Sequence, residues 1–311
     1  MNADMTAART EGIEAIASAL GVRALRDEPL SRHTSFRIGG PADLYVRPDT
    51  EEELRLILNH ARASDLPVLV LGAGSNLVVR DGGVRGVVIR MMKNFDEMSV
   101  LGEGRVRVRA GVTAASLAFR MAEMGLGGLE FAVGIPGTVG GGVVTNAGAH
   151  GGDWGRRIVE ISGITAEGQS LRLTHAQLDF RYRHSAIPRG FVIAEAILQL
   201  EAGDPARVLA TTRSYVEDRK AKQPVSSPSA GCFFKNPPGT HAGKLIEEAG
   251  LKGFRIGNLE VSPKHANFIV NLGGGTARDA LALVGEIRER VHRAHGVWVE
   301  TEVMVVGEDA S

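Results

Sequence analysis

The spacing of apolar residues divides the chain into alternating helical and extended segments. Residues 7–20 carry apolar side chains at helical spacing and predict a leading amphipathic helix. Residues 36–46 read as a strand region interrupted by Gly39, Gly40 and Pro41. Thr50 stands where an N-cap is needed, and Glu51, Glu52 and Glu53 suit the positive end of a helix, which is expected to run to about residue 63. Residues 67–71 have the uninterrupted apolar pattern of a short buried strand. Residues 87–89 and 105–109 read as further strands, the latter alternating arginine with valine. A helical pattern follows at 113–124, then strand patterns at 158–165, 170–173 and 191–200.

Beyond Gly203 the pattern changes. Pro205 falls at a natural helix start, and residues 207–222 predict a basic, solvated helix. A helix at 242–249, a strand at 268–271, a helix at 276–294 and a strand at 297–306 then predict a small α+β domain. The boundary is placed near Gly203.

Composition narrows the classes of function. A chain of 311 residues, 43% hydrophobic, is expected to form two or three domains with sizeable cores. Its 36 basic and 36 acidic residues cancel, so nothing in its charge points to nucleic acid or an anionic membrane as partner. A single cysteine rules out an internal disulfide framework and fits a reducing compartment. Residues 1–11 are polar and lack the apolar core of a secretion signal, and no apolar run reaches the ~18–20 residues of a membrane span. A soluble, cytosolic protein is expected. The nine histidines form no HExxH or similar cluster, and no metal site is expected.

The 40 glycines cluster, and the clusters carry candidate chemistry. Gly72-Ala73-Gly74-Ser75-Asn76 follows an apolar strand directly. Backbone N–H groups there can converge on one concave spot, an anion nest, with Ser75 and Asn76 adding side-chain donors. The spacing is neither that of a dinucleotide-binding fingerprint nor that of a P-loop, and the segment also reads as a plain tight turn. In the second glycine region, residues 125–152, Gly134-Ile135-Pro136-Gly137 and the run Gly140 to Gly142 would let the chain close around a flat or extended ligand. Residues 229–237, SAGCFFKNP, set the thiol of Cys232 in a loop with Lys235 and Asn236, and the small Ala230 and Gly231 leave room for a ligand.

Five segments occur in an order that resembles the UDP-N-acetylenolpyruvoylglucosamine reductases: GAGSNLVVRDGG (72–83), GIPGTVGGGVVTNAGAHG (134–151), RYRHS (181–185), SAGCFFKNP (229–237) and TEVMVVG (301–307). The similarity spans about residues 30 to 307 and is nearest to the type II branch. It implies an α+β chain with the FAD-binding fold of the vanillyl-alcohol-oxidase/p-cresol methylhydroxylase type. After a lead-in at 1–29, two lobes at about 30–90 and 91–203 would hold flavin, and 204–311 would form a C-terminal domain for substrate. The implied reaction is reduction of UDP-N-acetylglucosamine enolpyruvate in cytoplasmic peptidoglycan precursor synthesis, with non-covalent FAD, NADPH as reductant and no obligate protein partner.

The resemblance also implies roles for individual residues. FAD would contact Gly72, Ala73, Gly74, Ser75, Asn76 and Leu77, and also Gly134, Ile135, Pro136, Gly137, Gly140, Gly141, Asn146 and Gly148. Arg183 corresponds to the active-site arginine, Cys232 to the proton donor and Glu302 to the catalytic glutamate. Many family members carry serine where this chain has Cys232. Tyr182, Arg219, Lys222 and Asn236 would bind substrate. Two other readings compete: an oxygen-using oxidase of the same flavin fold, and a non-catalytic flavin- or sugar-nucleotide-binding module. SAGCFFKNP and the TEV segment have no role in the first, and retention of Arg183, Cys232 and Glu302 argues against the second.

Overall fold

The structure, a computed structural model, describes residues 2–310, with side chains from residue 7 onward. Two compact units organise it. One comprises Met1–Asp27, Asp43–Ala73 and Gly86–Glu217, the other Glu28–Ala42, Gly74–Arg85 and Asp218–Ser311.

In the first unit the leading helix runs Asn2–Leu20 and buries Ile16 and Leu20. The helix Glu51–Ala63 starts where the Thr50 hydroxyl accepts from the Glu53 N–H at 3.2 Å, a cap worth about 1 kcal/mol. Its Leu54, Ile57, Leu58 and Ala61 recur at i, i+3, i+4 and i+7 and share a core with Leu44, Val46, Val87 and Ile89 of a four-stranded sheet. Strand order in that sheet is Ala24–Pro29, Pro41–Val46, Val84–Arg90, Val68–Leu71. The last strand pairs in parallel with its neighbour at the sheet's edge. Its pattern predicted burial, yet Val68 and Val70 are 38% and 40% exposed. An edge strand covered on one face turns alternate side chains to solvent.

A second sheet of this unit is antiparallel throughout, in the order Ser170–Thr174, Ile158–Ile164, Val192–Gln199, Arg105–Arg109, Met98–Gly102. Val106 and Val108 point into its core beside Leu117, Met121 and Trp154, as the arginine–valine alternation predicted. The helix Ala114–Glu123 closes this core and is capped by the Thr113 hydroxyl. The second glycine region contains a short helix, Val139–Val144, whose N-terminal cap is Thr138.

The second unit carries a four-stranded antiparallel sheet in the order Ser229–Cys232, Phe268–Asn271, Leu259–Val261, Arg255–Ile256. Helices Ala242–Glu248 and Ala277–His295 contribute to the same core. The longer one has a capping box between Thr276 and Asp279 and ends on Gly296 in the left-handed conformation. Asp81 adds an outer cap, accepting from the N–H groups of Ala277 at 2.8 Å and Arg278 at 3.0 Å. Phe36, Ile38 and Val78 enter this core from early in the chain, and the Phe36 ring meets Phe233 edge-on at 5.4 Å.

Three expectations change here. Residues 229–232 form a strand rather than a loop, because Ala230 is buried and Ser229 and Cys232 register with Val270 and Phe268. The strand expected at 297–306 is only Met304–Val306, because its parallel partner Leu77–Val79 offers three residues of ladder. The strand expected at 36–46 begins at Pro41, because Arg37 (φ 57°) and Gly39 (φ 139°) turn the chain before it.

Candidate active site

In the first unit the glycine region is stitched to the start of helix Ala114–Glu123. Val139 N–H donates to the Val112 carbonyl and Gly140 N–H to the Ala110 carbonyl, both at 2.9 Å, while Ala114 N–H donates to the Gly137 carbonyl at 3.0 Å. A Cβ at Gly72 would lie 2.5 Å from the Thr138 hydroxyl, so Gly72-Ala73 runs tight against the cap of the glycine helix. Ile135 packs on the core beside this run, and Pro136 is exposed. Gly137 has φ of 150°, a conformation reserved for glycine.

Gly134 and Gly141 differ from these. Neither has a left-handed backbone, and an added Cβ would meet nothing closer than 3.7 Å at Gly134 or 3.6 Å at Gly141. The protein's own packing gives no reason for glycine at these two positions. The space beside these two glycines leaves room for a group such as a flavin nucleotide to approach the backbone.

Asn146 is buried, and its side chain is engaged by the protein itself. Its Nδ2 donates to the Arg181 carbonyl at 2.9 Å, and its Oδ1 accepts from the Gly155 N–H at 2.8 Å. It thereby fixes the RYRH turn, closed by reciprocal 3.0 Å bonds between the backbones of Arg181 and His184. Arg183 sits in that turn with φ of 53°, a conformation a non-glycine residue rarely adopts. Its Nη2 donates to the Gly148 carbonyl at 3.0 Å, and its guanidinium lies 5.0 Å from the ring centre of Tyr182, which is 56% exposed. Arg183, Tyr182, Gly148 and Asn146 therefore form one cluster with the glycine region.

In the second unit Gly74 has φ of 65°, and a Cβ there would strike the His33 carbonyl at 2.2 Å. Its glycine is required by the fold. Ser35 ties this loop to the cysteine strand: its N–H donates to the Gly74 carbonyl at 3.0 Å and its hydroxyl to the Ser229 carbonyl at 2.7 Å. The Ser75 carbonyl lies 3.8 Å from where a Cβ of Gly231 would stand. Asn76 donates from Nδ2 to the Glu302 carbonyl at 3.2 Å, and its own carbonyl accepts from the Met304 N–H at 3.1 Å. Leu77 then opens the strand paired with Met304–Val306. Glu302 donates its N–H to the Phe233 carbonyl at 2.8 Å, so the segment that carries the glutamate lies beside Cys232-Phe233. The thiol itself is half-buried.

Asn236 accepts from the Ala242 N–H at 3.1 Å, capping helix Ala242–Glu248 from outside, where His241 supplies no side-chain cap. Lys222 is exposed and pairs with Asp218 at 2.5 Å. Arg219, one turn earlier, donates from Nε to the neutral Gln223 amide at 3.2 Å, and burial alone lowers its pKa from the ordinary arginine value. A desolvated guanidinium facing a neutral partner suits an incoming anion better than a solvated, paired lysine does. Cys232, Glu302, Asn76, Arg219, Lys222 and Asn236 thus belong to one unit, and Arg183 and Tyr182 to the other. Among the described residues no three His, Cys, Asp or Glu side chains gather to hold a metal ion. Ser35 and Asn267 shape the local backbone through bonds to residues remote in sequence, and neither carried a sequence signal.

Comparison with known proteins bears on both units. Residues 223–306 match the family model for the UDP-N-acetylenolpyruvoylglucosamine reductase C-terminal domain, and residues 42–174 match that for an FAD binding domain. The chain is 48% identical over 286 residues to UDP-N-acetylenolpyruvoylglucosamine reductase 2 of Symbiobacterium thermophilum, covering 92% of each. It is 42% identical over 287 residues to the UDP-N-acetylenolpyruvoylglucosamine reductase of Bacillus subtilis, covering 92% of this chain and 94% of that one. The crystal structure of UDP-N-acetylenolpyruvylglucosamine reductase from Thermus caldophilus aligns with a TM-score of 0.78 at 36% identity, over 91% of this chain and 97% of that one.

Proposed function

The chain belongs to the UDP-N-acetylenolpyruvoylglucosamine reductase family and is an FAD-containing oxidoreductase of peptidoglycan precursor synthesis, and from that premise we propose how its residues work. Its substrate is UDP-N-acetylglucosamine enolpyruvate, its product UDP-N-acetylmuramate, its reductant NADPH and its compartment the cytoplasm. Residues 30–203 hold the flavin and 204–311 the sugar nucleotide. Gly72 to Leu77, Gly134 to Gly137, Gly140, Gly141 and Gly148 form the flavin-lining backbone, and Asn146 holds that backbone in place.

A flavin held by these residues would supply the hydride chemistry between the nicotinamide and the terminal methylene of the enolpyruvyl ether. The protein handles charge and the proton. Electron density that collects on the carbon beside the carboxylate spreads into that carboxylate, and the planar guanidinium of Arg183 pairs with it as the charge grows. Cys232 Sγ–H delivers the proton to that carbon. A thiol of ordinary pKa about 8.5 releases a proton far more readily than an alcohol. Glu302 shares the proton in this step through its carboxylate. Arg219 takes the diphosphate, with Lys222 at its exposed side, and Asn236 and Tyr182 contact the sugar nucleotide.

The observation that carries this reading is the bond from Glu302 N–H to the Phe233 carbonyl, which sets the Glu302 segment beside the Cys232 segment. The test is anaerobic. NADPH should bleach the flavin absorbance of the purified protein, and the enolpyruvyl nucleotide should then restore it. Flavin that is never bleached overturns the choice of reductant. Flavin that is bleached but stays reduced when the nucleotide is added overturns the substrate.

A further inference from the structure

Asn267 has its side chain inside the apolar core of the second unit, 3% exposed, next to the strand that carries Cys232. The ladder between Ser229–Cys232 and Phe268–Asn271 ends at the Cys232–Phe268 pair. Past that point the Asn267 carbonyl accepts from the Phe233 N–H at 2.8 Å. Its side chain then does what the next backbone unit would do. Oδ1 accepts from the Phe234 N–H at 2.9 Å, and Nδ2 donates to the Phe234 carbonyl at 2.8 Å. Both backbone groups of Phe234 are thus paired with one carboxamide.

The other edge of the same segment faces Glu302. The Phe233 carbonyl accepts from Glu302 N–H, the Lys235 N–H donates to the Glu300 carbonyl at 2.9 Å, and Phe234 bridges Thr301. Residues 232–235 are therefore held between Asn267 on one side and residues 300–302 on the other. The surroundings are dry: Phe233, Phe234, Phe36 and Ile269 are all buried. A buried peptide group left without a partner there is costly, so no apolar side chain can replace the amide without the segment moving.

We propose that Asn267 is a positioning residue for proton delivery, its carboxamide fixing the Cys232 segment against the Glu302 segment. The inference rests on the roles given to those two residues above. Proton transfer needs the donor within hydrogen-bond reach of the carbon's face, and a displacement near 1 Å from a change outside the reacting groups can cost about 10²-fold.

The test compares Asn267→Ala, Asn267→Asp and the core control Leu283→Ala in the flavin-loaded protein. Leu283 is fully buried in the same core and has no bond to the segment. Asn267→Ala should keep flavin and be reduced by NADPH within about 2-fold of wild type, while reoxidation by the enolpyruvyl nucleotide falls by about 10–100-fold. Cys232 is the only thiol in the chain, so iodoacetamide reports on it alone. Its alkylation should be faster by at least about 5-fold in Asn267→Ala and unchanged in Leu283→Ala.

Asn267→Asp supplies a rescue, and it decides the matter if the alanine variant does not fold. A protonated carboxyl presents one acceptor and one donor, as the amide does, whereas the carboxylate offers only acceptors. Its reoxidation rate relative to wild type should therefore rise as pH falls. The proposal is overturned if Asn267→Ala reoxidises within about 2-fold of wild type, or if it slows both half-reactions alike, as a destabilised core would. Absence of reoxidation in the wild-type protein would instead overturn the functional reading, and the alkylation comparison would still decide whether Asn267 places the thiol.

Discussion

Cys232, proposed above as the proton donor, makes the proton step separable from the hydride step. Removing the thiol should leave the first half-reaction intact, since no protein proton enters it. Cys232→Ala should bind FAD and be reduced by NADPH at near wild-type speed, with reoxidation by the enolpyruvyl nucleotide slowed by roughly 10²–10⁴. Cys232→Ser should keep substantial activity. Stopped-flow flavin absorbance measures both phases, and equal slowing of the two would make the cysteine structural. His265 gives a second single-residue test, of stability. Its Nδ1 accepts from the Asn267 N–H at 3.2 Å, so the ring is neutral. Burial lowers its pKa from 6.5; its own backbone bonding opposes this, Lys252 adds to it, and Glu247 opposes it. The unfolded chain therefore binds a proton at a pH where the folded chain does not. This contribution to stability is fully present above the unfolded value and is lost as pH falls through the depressed folded value. His265→Asn retains an oxygen acceptor but cannot titrate. Its urea midpoint should drop less than that of wild type between about pH 7 and pH 5, and equal drops would remove His265 from the linkage.

Elements carried their own signals where the determinant was local. Thr50 and Thr113 cap helices as their sequence context requires, and the valines of Arg105–Arg109 are buried while Arg105 and Arg107 are exposed. Elements whose state depends on a distant partner were not legible. The strand Ser229–Cys232 exists because Phe268–Asn271 lies beside it, and Met304–Val306 is short because Leu77–Val79 is. The helix Val139–Val144, read VGGGVV, contradicts glycine's low propensity and is held by the Thr138 cap and by bonds to Ala110 and Val112. The proposed site divides in the same way. Motif positions such as Arg183, Cys232 and Glu302 were visible, whereas Asn267 and Ser35 work through backbone far away in sequence. Gly141 in that helix yields a two-signed prediction. Replacing a helical glycine by alanine adds up to about 1 kcal/mol where the methyl group has room, and it has room here. Gly141→Ala should leave the melting temperature of flavin-free protein unchanged or higher, yet weaken FAD binding by at least about 10-fold if the flavin lies against that backbone. Differential scanning fluorimetry and a flavin fluorescence titration read the two effects. Undiminished FAD affinity would place the cofactor elsewhere.

At the scale of the whole molecule, the second unit is assembled from three separate stretches, Glu28–Ala42, Gly74–Arg85 and Asp218–Ser311. The contiguous stretch 204–311 contains its sheet and both helices but lacks several of their partners. Phe36, Ile38 and Val78 are 0%, 2% and 1% exposed in its core. Burial of each is worth about 1.5–3 kcal/mol. Asn271 Nδ2 donates to the Phe36 carbonyl at 3.0 Å from inside that core. Asp81 caps Ala277–His295, and Leu77–Val79 is the only ladder for Met304–Val306 among the described residues. Those losses together approach the ~5–15 kcal/mol by which an entire domain is stable. A fragment of residues 204–311 expressed alone should therefore retain some helix by far-UV circular dichroism but lack a near-UV signal and melt without a cooperative transition. The full chain should melt cooperatively under the same conditions. A fragment that melts cooperatively and gives a dispersed amide spectrum would show that the early segments are dispensable to this core and that 204–311 is a domain in its own right.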